Sequence, residues 1–223
     1  MNLIFLGAPG AGKGTQAAII AEKYNLTLIG TGDLFRRAVA EKTDLGTKVQ
    51  NYMQQGLLVP DELVFGILKQ NLKPLDWERG LAFDGFPRTV AQAQELDTMV
   101  AHMNKKIDKT FFIHVPEDIL IHRLINRWTC QSCSLIFGPQ EVTRDDKPRC
   151  IECGGILVKR SDDTEETVKK RLQEYKQKTE PILSYYRAKK DILKQIDGSL
   201  TIQEVTDQLI AAIERSSSKS AKR

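Results

Sequence analysis

The chain has 223 residues, with 33 lysines and arginines against 29 aspartates and glutamates. Four of the basic residues, Arg215, Lys219, Lys222 and Arg223, fall in the last nine positions, where no acid occurs, so the rest is formally neutral. That balance argues against a broad nucleic-acid face, and the length suits one domain with room for an insertion. Residues 216–223 have one small apolar side chain, Ala221, and are expected to form a flexible basic tail.

The N-terminal apolar run, Leu3 to Leu6, reads as a buried strand. It is too short for a signal peptide or membrane span, so the expected location is cytoplasmic, without a membrane partner. Gly7-Ala8-Pro9-Gly10-Ala11-Gly12-Lys13-Gly14-Thr15 follows, and then an apolar-periodic helix over 16–24. Strand, glycine-rich turn, lysine and helix form the context of a P-loop. Glycines let successive backbone N–H groups face a phosphate, the helix start adds its dipole, and Lys13 adds a mobile cation. The general pattern has Ser or Thr directly after the lysine, to hold magnesium. Here that place is Gly14, and the hydroxyl comes one residue later, at Thr15.

A second strand is expected over 26–29. A turn at Gly30 to Asp33 then opens a helix over 34–41. Another helix over 45–55 stops at Gly56, and Asp61 is expected to cap a third that runs to Leu72. Leu81 to Phe83 reads as a strand that delivers Asp84-Gly85-Phe86-Pro87-Arg88 at its C-terminal end. A helix over 89–103, a strand over 110–115 and a helix carrying Arg123 and Arg127 follow. His114 is expected to pack in the core, and His102, His114 and His122 do not have ligand spacing.

Residues 128–160 break the pattern and read as a small inserted lobe. They contain Cys130-Gln131-Ser132-Cys133 and Cys150-Ile151-Glu152-Cys153. Paired C-x-x-C spacing in a reducing compartment points to a four-thiolate zinc site rather than disulfides. Four protein ligands make such a zinc structural, replacing a core that so short a lobe cannot build. Asp162 to Glu165 reads as a capping box for a long charged helix, which Pro181 is expected to kink. A strand over 192–196 and a helix over 201–215 end the body.

Alternating strands and helices imply an α/β fold, a P-loop NTPase-type parallel sheet flanked by helices, with the zinc-binding lobe inserted. Ligands then bind beyond the C-terminal strand ends, where the P-loop and Asp84 fall. A carboxylate there can orient magnesium and so compensate for the glycine at position 14. Arg36, Arg88, Arg123, Arg127, Arg160 and Arg171 lie near expected element ends, and guanidinium forks suit phosphates and a phosphoryl group in transfer.

Together, residues 7–16, Thr31-Gly32-Asp33, residues 84–88, Arg123, Arg127, the cysteine quartet and Asp162-Asp163 through Arg171 resemble the adenylate kinases with a zinc-binding lid. The resemblance implies magnesium-dependent, reversible phosphoryl transfer from ATP to AMP, by a monomer acting on small molecules rather than nucleic acid. It implies a core of residues 1–29, 60–122 and 161–215, an AMP-binding domain of 30–59 and a lid of 123–160. ATP would meet Gly10, Ala11, Gly12, Lys13, Gly14, Thr15, Arg123 and Arg127. AMP would meet Thr31, Arg36, Leu57, Leu58, Val59, Gly85, Arg88, Gln92, Arg160 and Arg171. Lys13, Arg88, Arg123, Arg127, Arg160 and Arg171 would act on the transferring phosphates. Asp84 would orient magnesium, Cys130, Cys133, Cys150 and Cys153 would hold zinc, and Asp162 and Asp163 would couple lid closure to the core. Gly30, Trp128 and Ser134 depart from the family pattern. Within the same class the alternatives are a UMP or CMP kinase, or a kinase using GTP as donor. In another class the alternative is a nucleotide-gated zinc module without catalysis.

Overall fold

The computed structural model describes residues 1–139, 141–142 and 147–220. Five parallel strands form the main sheet: β1 (Leu3–Leu6), β2 (Thr27–Gly30), β3 (Leu81–Asp84), β4 (Lys109–His114) and β8 (Leu193–Asp197). Their order is β2-β3-β1-β4-β8, so β1 lies in the middle between β3 and β4. A second, antiparallel sheet of order β6-β5-β7 is built from β5 (Trp128–Cys130), β6 (Ile136–Phe137) and β7 (Leu157–Lys159).

Side chains of a strand alternate between the faces of its sheet, and here both faces are buried. Ile4, Leu6, Phe83 and Phe112 enter one apolar cluster. It also draws on α2 (Thr31–Ala40), α3 (Asp44–Gln54), α4 (Asp61–Asn71), α6 (Val90–His102) and α9 (Ile182–Arg187). Leu3, Phe5, Ala82, Phe111 and Ile113 enter the other. Its helices are α1 (Lys13–Lys23), α7 (Glu117–Ile125), α8 (Glu165–Glu174) and α10 (Ile202–Ser220). A third, small cluster lies in the inserted lobe, where Cys130, Phe137, Cys150 and Leu157 are buried together.

Several expectations are corrected. Thr31-Gly32-Asp33 is the first turn of α2 rather than a turn before it, because β2 ends directly at Gly30. Asp61 is the first residue of α4 and not its cap, and Pro60 precedes it. A short helix, α5 (Pro74–Arg79), fills a stretch with too few residues to show a period. Arg127 lies past the end of α7 at Ile125. The capping box at Asp162 is absent. Thr164 caps α8, its hydroxyl accepting from the Thr167 N–H at 3.3 Å.

The break expected at Pro181 begins earlier, in a π-helical turn over Tyr175–Thr179. Pro181 has no N–H and directly precedes α9, so the strain of joining the two helices falls on the turn before it. His114 is exposed, because it ends β4 where the strand leaves the sheet's cover. The last helix continues past Arg215 to Ser220, a stretch without glycine or proline to stop it. Residues 221–223 of the expected tail lie outside the described residues. Among the described residues no helix is long and apolar enough to cross a membrane.

Candidate active site

The strand register brings the two functional turns together. Phe5 of β1 pairs with Asp84 of β3, and Asp84 also pairs with Gly30 of β2. The loop after β1, the carboxylate ending β3 and the start of α2 therefore share one edge of the sheet. Thr31 locks that edge, its hydroxyl donating to the Gly85 carbonyl at 2.8 Å.

The turn from Gly7 to Gly12 leads into α1, and Gly12 stands before its first residue at φ 87°. That left-handed conformation costs a side chain about 1 kcal/mol or more, so glycine fits the place. Gly10, Ala11 and Gly12 approach the N-terminus of α1, while Lys13, Gly14 and Thr15 form its first turn. The Lys13 ammonium turns back onto the Ala8 carbonyl at 2.9 Å. Burial lowers its pKa to about 8, against the pull of Asp84 and with the push of Arg88, Arg171 and Arg127.

Gly14 now has a reason. A Cβ there would lie 3.0 Å from Asp84 Oδ2, tighter than ordinary contact. A serine or threonine in the general P-loop position would press on the carboxylate, and Asp84 takes that place instead. Burial raises the Asp84 pKa, opposed by Lys13 and Arg88.

Arg88 donates Nε–H to the Gly85 carbonyl at 2.7 Å, and burial lowers its pKa to about 10. Its backbone N–H donates to Gln92 Oε1 at 2.7 Å, and Gln92 Nε2 donates to Asp61 Oδ1 at 2.6 Å. Arg36 is paired with Asp33. Leu57, Leu58 and Val59 follow α3 and line one cleft with Arg36, Arg88 and Arg171. Its volume is about 890 Å³, open mouth included. Lys13 lines it as well.

Asp163 joins two arginines from different segments. It accepts from Arg127 Nε at 2.8 Å and Nη2 at 2.7 Å, and from Arg171 Nη1 at 2.8 Å. Asp162 also accepts from Arg171, through its carbonyl at 3.2 Å. Arg160 donates Nε–H to Thr129 Oγ1 at 2.9 Å across β5 and β7, and burial lowers its pKa to about 10. Burial also lowers the Arg127 pKa. Lys13, Arg36, Arg88, Arg127, Arg160 and Arg171 thus gather in one field with the carboxylates of Asp33, Asp84, Asp162 and Asp163. Arg123 stands apart from that field. Its Nη1 donates to the Gly198 carbonyl at 2.9 Å, beyond β8.

The four cysteine Sγ atoms all lie within 4.8 Å of one another. Cys130 and Cys153 are 3.5 Å apart, and Cys133 and Cys150 3.7 Å. Four thiolates about 2.3 Å from one tetrahedral zinc stand roughly 3.8 Å apart, so the donor set fits that ion. The backbone N–H groups of Cys133 and Ser132 draw the Cys130 thiol down to about 6, while the thiols of Cys133 and Cys153 are pushed up by their neighbours, so without metal the first thiolate of the quartet forms at Cys130. Ser134 adopts φ 62° after the first knuckle, as Gly154 does at 70° after the second.

Sequence reasoning missed five supporting residues: Asp61 behind Gln92, Thr129 beside Arg160, the Gly198 carbonyl at Arg123, and Tyr175 and Thr179 in the cleft wall. An acid at the start of a helix was the one available signal, for Asp61. The others depend on tertiary contacts.

The family model for adenylate kinase matches residues 5–191. The adenylate kinase of Archaeoglobus fulgidus is 48% identical over 215 residues, covering 96% of this chain and 99% of its own. That of Thermodesulfovibrio yellowstonii is 46% identical, covering 96% and 100%. That of Dehalococcoides mccartyi is 45% identical over 95% and 97%. With its parallel sheet, its glycine-rich turn and its gathered arginines, the chain belongs to the adenylate kinase family.

Proposed function

We propose that the chain transfers the terminal phosphoryl group of ATP directly to AMP, reversibly, giving two ADP. The observation that carries the reading is that Lys13, Arg88 and Arg171 line one cleft, with Asp84, Arg127 and Arg160 in the same field of charge. The acceptor phosphate is already an anionic nucleophile, so no general base is required. Catalysis is then positioning and charge stabilisation.

ATP lies along Gly10 to Thr15, with its base towards Arg123 and its outer phosphates at Lys13 and Arg127. AMP occupies the cleft of Arg36, Leu57, Leu58, Val59 and Arg88, with Thr31, Gly85 and Gln92 behind it. Arg160 and Arg171 reach the phosphates from the other side. Enzymes of this family use magnesium with ATP, and the ion neutralises phosphate charge when bound. Asp84 would orient it.

Residues 123–160 act as a lid and 30–59 as the AMP-binding domain, on a core of 1–29, 60–122 and 161–215. The lid closes to exclude water, which would otherwise take the phosphoryl group. Asp163 couples lid to core by holding Arg127 and Arg171 together. Cys130, Cys133, Cys150 and Cys153 hold a structural zinc. The protein works as a cytoplasmic monomer on free nucleotides.

The test follows ADP formation from MgATP with AMP, UMP or CMP as acceptor. Rapid turnover with AMP alone supports the reading. Preferred turnover with UMP or CMP would move the acceptor, and absence of transfer with all three would overturn it.

A further inference from the structure

Gln92 is 2% exposed, at the N-terminal turn of α6. Both ends of its amide are bonded, and the partners allow one orientation only. The Arg88 backbone N–H can only donate, so the group facing it at 2.7 Å is Oε1. The Asp61 carboxylate oxygen accepts here, so the group facing it at 2.6 Å is Nε2. Asp61 is itself held from its other oxygen, which accepts from Thr89 Oγ1 at 3.4 Å. The Thr89 hydroxyl accepts in turn from the Gln92 N–H at 3.1 Å. The glutamine therefore cannot flip without placing an amide oxygen against a carboxylate and an NH₂ against an N–H.

We propose that Asp61 is a positioning residue that fixes the hand of the Gln92 amide and so selects the acceptor base. This rests on the reading that Gln92 faces the acceptor. Each end of the amide has one hydrogen-bonding valence left, an N–H on one side and a lone pair on the other. Adenine presents a ring-nitrogen acceptor beside an amino donor and matches that pair. Cytosine presents the same order. Guanine and uracil present a ring N–H beside a carbonyl, the reverse order, and would match only the flipped amide. A free glutamine serves both patterns by turning over, and Asp61, with the Arg88 N–H, removes that freedom. Asp61 thus rejects guanine and uracil, while size and the rest of the cleft must reject cytosine.

The experiment measures kcat and KM for AMP, GMP and CMP, at saturating MgATP, in the full chain and in three variants. Asp61→Ala is expected to lower the preference for AMP over GMP by about tenfold or more, because buried hydrogen-bonding groups carry that discrimination. The preference for AMP over CMP is expected to stay. Asp61→Asn, whose amide can turn to donate as well as accept, is expected to restore only part of the preference. If Asp61→Ala does not fold, the near-isosteric Asp61→Leu replaces it. A change equal for GMP and CMP, or none, overturns the proposal and leaves Asp61 as a brace of α4 and α6. Gln92→Leu separates the underlying reading. If it leaves KM for AMP unchanged, Gln92 does not face the acceptor, and the failure lies there.

Discussion

Asp84 occupies the space that a side chain on Gly14 would need, its Oδ2 3.0 Å from the position of that Cβ. The departure from the general P-loop and the carboxylate at the end of β3 are one feature. Gly14→Ser is expected to shift Asp84 by a few tenths of an ångström and to lower kcat by about 2- to 10-fold. Steady-state kinetics and circular dichroism check it. An unchanged kcat in a folded variant would mean that Asp84 is not held by this contact.

Lys13 carries a pH signature. Its pKa is lowered from 10.5 to about 8 in the free protein, and bound phosphate favours the ammonium. ATP binding therefore takes up a proton between about pH 8 and 10.5, and affinity falls as pH rises. For the free protein, the fold disfavours the charged form. That penalty is present below pH 8 and fades as pH rises through this window. Titration calorimetry in buffers of different ionisation enthalpy reads the proton. Lys13→Met is expected to abolish the uptake and lower transfer by about 100-fold or more.

Asp163 has a side chain only 3% exposed between Arg127 and Arg171. Removing it leaves two guanidinium groups facing each other. Asp163→Ala is expected to cost about 2–3 kcal/mol, a fall in Tm of roughly 5–10 °C for a chain of this size. Asp163→Asn keeps acceptor capacity and is expected to lose less. Scanning calorimetry checks both, and equal losses would assign the effect to packing.

The two C-x-x-C turns differ in the residue that follows them, with Ser134 at φ 62° where the other has Gly154 at 70°. A Cβ on Gly154 would meet nothing within 4 Å, so the difference lies in the backbone and not in space. Ser134→Gly is expected to stabilise the metal-loaded protein by about 1 kcal/mol. Removing metal with a chelator is expected to cancel that gain and to unfold residues 123–160 before the core. Hydrogen exchange would read the order, and uniform loss of protection would contradict it.

Much of this was legible in the sequence because local chemistry dictates it. The turn from Gly7 to Thr15 and the C-x-x-C pairs state their geometry in the order of residues. The strands ending at Leu6 and Asp84 follow from short apolar runs bounded by glycine. What was not legible depends on distant partners. Asp162 and Asp163 look like a helix cap in sequence, yet arginines 127 and 171 claim them and Thr164 caps α8. The π-helical turn before Pro181 and the tether from Asp61 to Gln92 likewise appear only once α8, α9, α4 and α6 are packed.

Phosphorus NMR of MgATP with the purified protein, first alone and then with AMP, tests the central claim most directly. The account predicts a stable ATP spectrum without acceptor. On adding AMP it predicts two ADP for each ATP consumed, with no inorganic phosphate. Release of inorganic phosphate in place of ADP would contradict it, since the cleft would then pass the phosphoryl group to water.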